Sequence, residues 1–323
     1  MKHVKRLALT MAMLASGFVF AQELSYPAKP VVMVVAIAAG GPIDTEARLY
    51  AKKMGEFTGQ SFIVDAKPGA SGAIGAGHVA RAAPDGHTLL VVSTTFTVTP
   101  AFRKDLPFDT LRDFAPVSQM SDKVSVLLVQ PSFPVKTFEG YIEYAKANPG
   151  KINFGMTGVG SVSHLAGAWI HNVTNTKVTF VSYKGAEPML RDLMAERVSV
   201  GSATFLVALP LIKAGKVRAL AVMGAKRSPL LPGVSTIAEQ GIPDYSYSTW
   251  LGISAPGATP VGVINKLNEI VVKAVNAPDI VAALTAQGSV PVGGTPAQFR
   301  QVIVAEMVRW RKVAEDAGIT ELE

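Results

Sequence analysis

The chain of 323 residues contains no cysteine, which excludes disulfide bonds and thiolate metal sites. It also lacks any cluster of lysine and arginine with interleaved aromatic residues, the pattern typical of nucleic-acid-binding sites, so no nucleic-acid partner is expected. Beyond residue 20 it has no apolar run long enough to span a bilayer. Without disulfides the fold must be held by its core, and about 300 residues are ample for two domains of ordinary size.

The first residues have the pattern of a secretory signal peptide. Residues 1–6 are basic, and residues 7–20 form an apolar run without a charge. This run has about 14 residues where a membrane-spanning helix needs roughly 20, so a cleaved signal is favoured and a retained anchor is the alternative. The small residues that follow predict cleavage after Ala21 and therefore an exported, soluble protein.

The charge balance is modest once the signal peptide is set aside. The formal net charge is +7, of which Lys2, Lys5 and Arg6 supply three charges, so +4 remains for the mature chain. A mild positive excess favours the encounter with small anions.

Strand and helix patterns alternate along the chain, which predicts a doubly wound α/β fold. Residues 31–37 are apolar and β-branched without polar alternation, as expected of a strand buried on both faces. The turn at Gly40 and Gly41 follows, and residues 43–51 have a helical pattern. The start of such a helix offers free N–H groups and the positive end of its dipole, so it can hold an anion without a catalytic residue.

Small polar residues gather at the predicted carboxyl ends of several strands, where ligands bind in open α/β sheets. Any one of them can equally be a helix cap or a turn residue. Because several strand ends share the same chemistry, a common hydrogen-bonding crevice is favoured over independent caps. These residues are Gly40, Gly41, Thr94, Thr95, Thr157, Gly158, Ser161, Ser163, Tyr183 and Thr204.

No pattern in the sequence indicates catalysis, a metal site or a cofactor. His164 and His171 lie about 10 Å apart along a predicted helix and cannot share one metal ion comfortably. Ser163 and His164 are adjacent, so their side chains diverge and do not form a nucleophile and its base. The turn at residues 40–42 is neither a Walker loop nor a dinucleotide fingerprint.

Three further residues leave alternatives open. Asp44 in the first helical turn could contact a ligand or stabilise the helix end. Phe96 and Phe205 lie close to predicted strand ends and are therefore candidates for lining a cleft. Trp250 is better explained as a packed strand residue than as a stacking platform.

A series of motifs covers essentially the whole mature chain in order, at residues 26–30, 39–48, 67–72, 82–90, 113–117, 148–151, 160–167, 181–185, 212–222, 255–260 and 292–296. In these motifs the chain resembles the Bug receptors, the periplasmic solute-binding proteins of tripartite tricarboxylate transporters.

The resemblance implies a two-lobed, type II-like periplasmic binding protein, with lobe 1 at residues 22–123 plus 230–323 and lobe 2 at residues 124–229. It implies a monomer in the periplasm that captures an organic carboxylate by hinge closure, through backbone amides and ordered waters, and delivers it to membrane permease subunits. By position, the first lobe would contribute Ala39, Gly40, Gly41, Ile43, Asp44, Thr94, Thr95 and Phe96. The second would contribute Thr157, Gly158, Ser161, Ser163, His164, Tyr183, Lys184, Gly185, Ala203, Thr204 and Phe205.

Two departures from the family's pattern bear on the ligand. Residues 36–38 lack the aromatic residue that relatives often carry before Gly40, which leaves more room in the cleft. Ala203 replaces an Asp that would suit an amino group on the ligand, so a dicarboxylate or an aromatic acid is favoured. Two other functions stay open, namely an exported α/β enzyme acting on carboxylic acids and a periplasmic sensor subunit that docks on a signalling protein.

Overall fold

The computed structural model describes residues 26–319, and the predicted signal peptide and its cleavage site lie outside the described residues. Strands and helices alternate along most of the chain. In order they are β1 (Val31–Val35), α1 (Pro42–Thr58), β2 (Phe62–Ala66), α2 (Ala73–Ala80), β3 (Thr88–Ser93), α3 (Thr95–Phe102), β4 (Phe114–Val129), α4 (Phe138–Ala147), β5 (Asn153–Met156), α5 (Val162–Val173), β6 (Thr179–Ser182), α6 (Ala186–Met194), β7 (Val200–Thr204), α7 (Phe205–Lys213), β8 (Arg218–Val222), β9 (Ser248–Pro256), α8 (Val261–Val275), α9 (Pro278–Ala286), β10 (Ser289–Gly293) and α10 (Pro296–Asp316), with short 3-10 turns at Ala70–Gly72 and Ala238–Gln240.

The first lobe is built on a mixed sheet with the strand order β2-β1-β3-β9-β4. Strand β1 runs parallel to β2 and β3, whereas β9 is antiparallel to both β3 and β4. Four of the five side chains of β1 are buried, as expected of a central strand in an α/β sheet. Strand β10 adds to the far side of β4.

The second lobe is built on the strands β4, β7, β5 and β6, with β8 also paired to β4. Strand β5 is parallel to β6 and β7, and β4 is antiparallel to β7 and β8. The predicted α/β class is therefore confirmed, although the antiparallel pairs make the sheet mixed rather than wholly parallel.

A single strand of 16 residues, β4, belongs to both sheets. Its pairing with β9 ends at Val124, which lies opposite Ser248, and its pairing with β7 begins at Ser125, which lies opposite Thr204. A second passage between the lobes runs beside it, because the N–H of Met223 donates to the Ser125 carbonyl at 2.9 Å and the N–H of Tyr247 donates to the Met223 carbonyl at 2.7 Å.

Helix α10 also extends over both lobes. Phe299 and Ile303 in its first half pack with Trp250 in the core of the first lobe. Trp310 and Val313 in its second half pack into the main core of the second lobe. The same second-lobe core includes residues between 237 and 247. The predicted division of the chain after residues 123 and 229 stays a prediction, and this packing favours a second passage near residue 247.

Several elements differ from the sequence prediction. Residues 124–129 are the end of a long strand rather than a separate one, and α3 begins at Thr95, where a strand end was expected. Beyond β9 the chain forms three helices and β10, where two helices were predicted. Within residues 26–319, no helix combines the length and apolar character that crossing a bilayer requires.

Candidate functional site

A cavity of about 440 Å³ opens at the carboxyl ends of β1 and β3 in the first lobe. This is the edge at which α/β sheets bind ligands. Its walls are mostly apolar, with hydroxyl groups at a few points. The lining includes Ala36, Ile37, Ala38, Ile43, Ser71, Ala76, Leu90, Val92, Ser93, Thr95, Phe96, Thr99, Leu106 and Phe108.

The turn between β1 and α1 is held by the carboxylate of Asp44. One oxygen accepts the Gly40 N–H at 3.0 Å, and both oxygens accept N–H groups of Arg48, at 2.9 and 3.1 Å. Hydrogen bonds from Arg48 and Gly40 hold the pKa of the buried Asp44 below its ordinary value. Asp44 thus stabilises the turn and the helix start, which is one of the two roles left open by the sequence. The first turn of α1 still presents N–H groups without an intrahelical partner.

The two threonines after β3 have different roles. Thr94 is fully buried, and its hydroxyl accepts the backbone N–H of Trp250 at 3.0 Å. Thr95 is exposed and lines the cavity, and its hydroxyl lies 2.8 Å from the hydroxyl of Ser93. Phe96 also lines the cavity while packing edge-on against Phe114. Thr95 and Phe96 are therefore the residues of this segment that a ligand can reach.

Hydroxyl groups cluster where β5 meets α5 in the second lobe. Ser161 is the N-cap of α5 and accepts the N–H of His164 at 3.2 Å. Ser163 accepts the N–H of Thr157 at 2.9 Å, and its hydroxyl lies within 2.9 Å of those of Thr157 and Ser161. His164 accepts the N–H of Gly160 on Nδ1 at 3.2 Å, and burial lowers its pKa. Nδ1 of His164 thus accepts a hydrogen bond from the backbone and not from a serine hydroxyl.

A second cavity of about 710 Å³ lies between the two lobes. The first lobe contributes Ser71, Thr95, Thr99, Arg103 and others, and the second lobe contributes residues 159–162 at the start of α5. The two cavities share Ser71, Thr95 and Thr99 as lining residues, so they adjoin, and together they are called the cleft below. The cleft brings together two predicted residues from different lobes, Thr95 and Ser161.

Other predicted residues lie away from both cavities. Tyr183 donates its hydroxyl to Asp192 at 3.0 Å, and Ala203 and Phe205 are buried in a core cluster of the second lobe. The suggestion that Phe205 lines the cleft does not match this packing, because the start of α7 turns its ring inward. The following predicted residues also line neither cavity and stay predictions: Ala39, Gly40, Gly41, Asp44, Thr94, Thr157, Gly158, Ser163, His164, Lys184, Gly185 and Thr204.

The turn between β2 and α2 is a part of the cleft that the sequence prediction did not include. Residues 69–72 all have positive φ angles, with Ala70 at 48° and Ser71 at 54°. Such angles are uncommon for residues other than glycine and are found preferentially at functional sites. The two glycines that bracket Ala70 and Ser71 are the signal in the sequence that could have indicated this turn.

The charged groups of the cleft do not form a metal site. Among residues 26–319, no group of three histidine, aspartate or glutamate side chains is placed to hold a metal ion. Besides the pair Arg103 and Asp105, the cleft offers hydroxyl groups, helix starts and apolar walls, a set suited to binding a small organic anion.

Comparisons with known proteins identify the family of this chain. Residues 46–319 match the family described as tripartite tricarboxylate transporter family receptor. The protein BugT of Bordetella pertussis is 33% identical over 296 residues, which cover 91% of this chain and 91% of BugT.

Two similar solved structures come from Rhodopseudomonas palustris. Rpa4515, solved with adipate, is 36% identical with a TM-score of 0.77, covering 92% of this chain and 100% of its own. MatC, solved with bound malate, is 32% identical with a TM-score of 0.72, covering 89% of this chain and 99% of its own. The predicted two-lobed periplasmic binding protein fold is confirmed, and so is the resemblance to Bug receptors. By sequence and by fold, this chain belongs to the family of tripartite tricarboxylate transporter receptors.

Proposed function

We propose that this protein is a periplasmic receptor that captures an organic carboxylate between its lobes and delivers it to the membrane permease of a tripartite tricarboxylate transporter. The observation that carries the proposal is the cleft, whose inter-lobe cavity is lined by both lobes. In it the hydroxyls of Ser71, Thr95 and Ser161 stand beside helix starts, which favour negative charge.

The walls of the cleft suggest the class of acid. Ile43, Phe96 and Phe108 line the first-lobe cavity, so the body of the ligand would be apolar. Adipate in Rpa4515 and malate in MatC support a dicarboxylate, because both relatives align with nearly the whole chain. An aromatic acid fits the same apolar walls.

Closure of the lobes would complete the site. Predicted residues outside the two cavities would approach the ligand as the lobes meet, such as Gly41 and Thr157 in the turns that border the cleft and Ser163 in the first turn of α5. Closure can be driven only by contacts present in the closed state and absent from the open one. The proposed mechanism is binding without chemistry. The protein would act as a monomer that is exported to the periplasm after cleavage behind Ala21.

The test is thermal unfolding of the exported protein, refolded to remove any carried ligand, against amino acids, aliphatic di- and tricarboxylates and aromatic acids. A ligand at about 100 times its Kd adds about 2.7 kcal/mol to the stability of the native state, which raises Tm by several degrees. No shift with any carboxylate would contradict the proposal.

A matched pair of variants locates the site. Thr95→Val removes the hydroxyl that faces the cleft and should reduce the ligand-induced shift. Thr58→Val removes a hydroxyl that donates to the Met54 carbonyl within α1 at 2.9 Å, outside both cleft cavities, and should leave the ligand-induced shift unchanged.

A further inference from the structure

One arginine stands in the cleft between the lobes. Of the side chains that line the two cavities, all within residues 26–319, only Arg103 and Asp105 carry charge. Arg103 directly follows α3 and lines the inter-lobe cavity from the side of the first lobe. It is therefore the cation that a bound anion in the described cleft would meet.

The guanidinium is oriented and already holds a carboxylate. Its Nη1 donates to the carbonyl of Ala70 at 3.3 Å, which fixes the plane of the group against the turn at residues 69–72. Its Nε and Nη2 donate to the two oxygens of Asp105 at 3.0 and 2.8 Å. This edge-on, two-bond geometry is the one in which arginine recognises carboxylates with most specificity.

The carboxylate of Asp105 can be exchanged at low cost. Its side chain is 74% exposed, so water takes its place readily. The Arg103 side chain is only 27% exposed, so its guanidinium needs a new acceptor once Asp105 leaves, and a ligand carboxylate can supply it. A ligand carboxylate that arrives in the cleft can thus replace Asp105 on the same edge of the guanidinium.

The spacing along α3 sets the length of the ligand. Thr95, at the start of α3, borders both cavities, and Arg103 lies eight residues later, about 12 Å along the helix at 1.5 Å per residue. The first-lobe cavity beside this path is lined by Leu106 and Phe108. A ligand that reaches from the helix starts to Arg103 therefore has an apolar middle and a second charge at its far end.

We propose that Arg103 is a specificity-determining residue that binds the second carboxylate of an extended dicarboxylate by displacing Asp105. This inference rests on the proposed function, and it names the part of the cleft that distinguishes a dicarboxylate from a monocarboxylate of the same length.

Isothermal titration calorimetry of the exported protein with adipate and hexanoate tests this role of Arg103. The two ligands differ only at one end, where hexanoate has a methyl group in place of the second carboxylate of adipate. In Arg103→Gln, which removes the positive charge and both Nη donors, adipate should bind about tenfold more weakly, which corresponds to about 1.4 kcal/mol. Hexanoate affinity should stay the same. Malonate is too short to span the cleft, so its affinity should not respond to the substitution.

Two further variants sharpen the test. Asp105→Asn removes the competing carboxylate and should strengthen adipate binding while leaving hexanoate unchanged. Arg112→Gln is the matched control, because Arg112 donates to Asp113 through the same two nitrogens, at 2.7 and 3.1 Å, and lines neither cavity. It should leave the affinity for both acids unchanged.

The outcomes separate this inference from the proposed function. Adipate binding that is equal in wild type and Arg103→Gln overturns the role of Arg103 and leaves the carboxylate receptor intact. An equal loss of adipate and hexanoate affinity in Arg103→Gln also overturns it, because the effect is then not on the second carboxylate. If the wild-type protein binds no carboxylate, both proposals fail.

Discussion

Trp250 donates its indole N–H to the carboxylate of Glu306 at 2.7 Å. The same oxygen accepts the hydroxyl of Thr97 at 2.9 Å, so one buried carboxylate ties β9 and α3 to α10. Burial raises the pKa of Glu306 above its ordinary value of 4.5, and the two hydrogen bonds only partly offset this effect. The junction between α10 and the first lobe therefore depends on the protonation of one side chain.

The first prediction concerns this carboxylate and pH. Because the folded-state pKa is raised, the native state binds the proton more tightly than the unfolded chain. The contribution of protonated Glu306 to the free energy of unfolding is complete below pH 4.5, and it is lost as the pH rises through the folded-state pKa. In Glu306→Gln, the free energy of unfolding should fall less with pH in this window, because Glu306 no longer titrates and Asp122, whose pKa burial also raises, still does. Each pH unit between the two pKa values is worth about 1.4 kcal/mol.

Urea unfolding from pH 4 to 8 measures this effect. Glu315→Gln on the exposed side of the same helix is the control and should keep the wild-type profile. Parallel profiles for wild type and Glu306→Gln would show that Glu306 is not the group that titrates.

The second prediction concerns His171, buried in the second lobe between Tyr141 and Thr176. Its ring nitrogens lie 3.0 Å from the Tyr141 hydroxyl and 2.7 Å from the Thr176 hydroxyl. Burial lowers the pKa of His171 to about 4 from 6.5, so the unfolded chain binds the proton more tightly. Stability should therefore decrease as the pH falls from 6.5 to 4, by about 3 kcal/mol in total.

His171→Gln should reduce this loss to the contribution of His164, whose pKa burial also lowers, whatever the cost of the substitution to stability at neutral pH. The exposed His78 supplies the control, since His78→Gln should leave the acid-side slope unchanged. A wild-type slope that survives in His171→Gln would assign the acid sensitivity to another group.

The third prediction separates stability from binding at the start of α5. Ser161→Asp keeps a favourable N-cap and adds a charge that suits the helix dipole, so the free energy of unfolding should change by less than about 1 kcal/mol. The added carboxylate stands in the inter-lobe cavity and repels an anion. Affinity for a carboxylate ligand should fall by about tenfold or more, as measured by titration.

The control for this substitution is another helix cap. Thr137 caps α4 by accepting the N–H of Gly140 at 3.1 Å and lines neither cavity. Thr137→Asp adds the same charge at an equivalent position and should leave ligand affinity unchanged. Equal losses in both variants would mean that net charge, and not the position of Ser161, governs binding.

Local patterns in the sequence predicted the elements that depend on near neighbours. The buried strand at residues 31–35, the glycine turn after it and the cap of α5 by one of two serines all follow from backbone chemistry within a few residues. The structure identifies Ser161 as that cap, which moves the helix start to Val162.

Features that depend on distant parts of the chain could not be predicted in this way. The hydroxyl of Thr94 binds Trp250, 156 residues away, so a residue expected in the cleft is used inside the fold. Phe205 follows a strand end, yet it is buried in a core cluster of the second lobe. Arg103 enters the cleft only because α3 continues beyond the expected strand end and carries it there.

The sharing of β4 between both sheets also bears on how the protein denatures, which is the fourth prediction. Neither lobe can lose this strand without opening a row of unpaired backbone groups in the other, and α10 links the two cores in the same way. Scanning calorimetry should therefore give one endotherm, with equal calorimetric and van't Hoff enthalpies, and two resolved peaks would contradict this. A receptor that, as proposed, closes its lobes as two bodies is thus expected to behave as one cooperative unit when it melts.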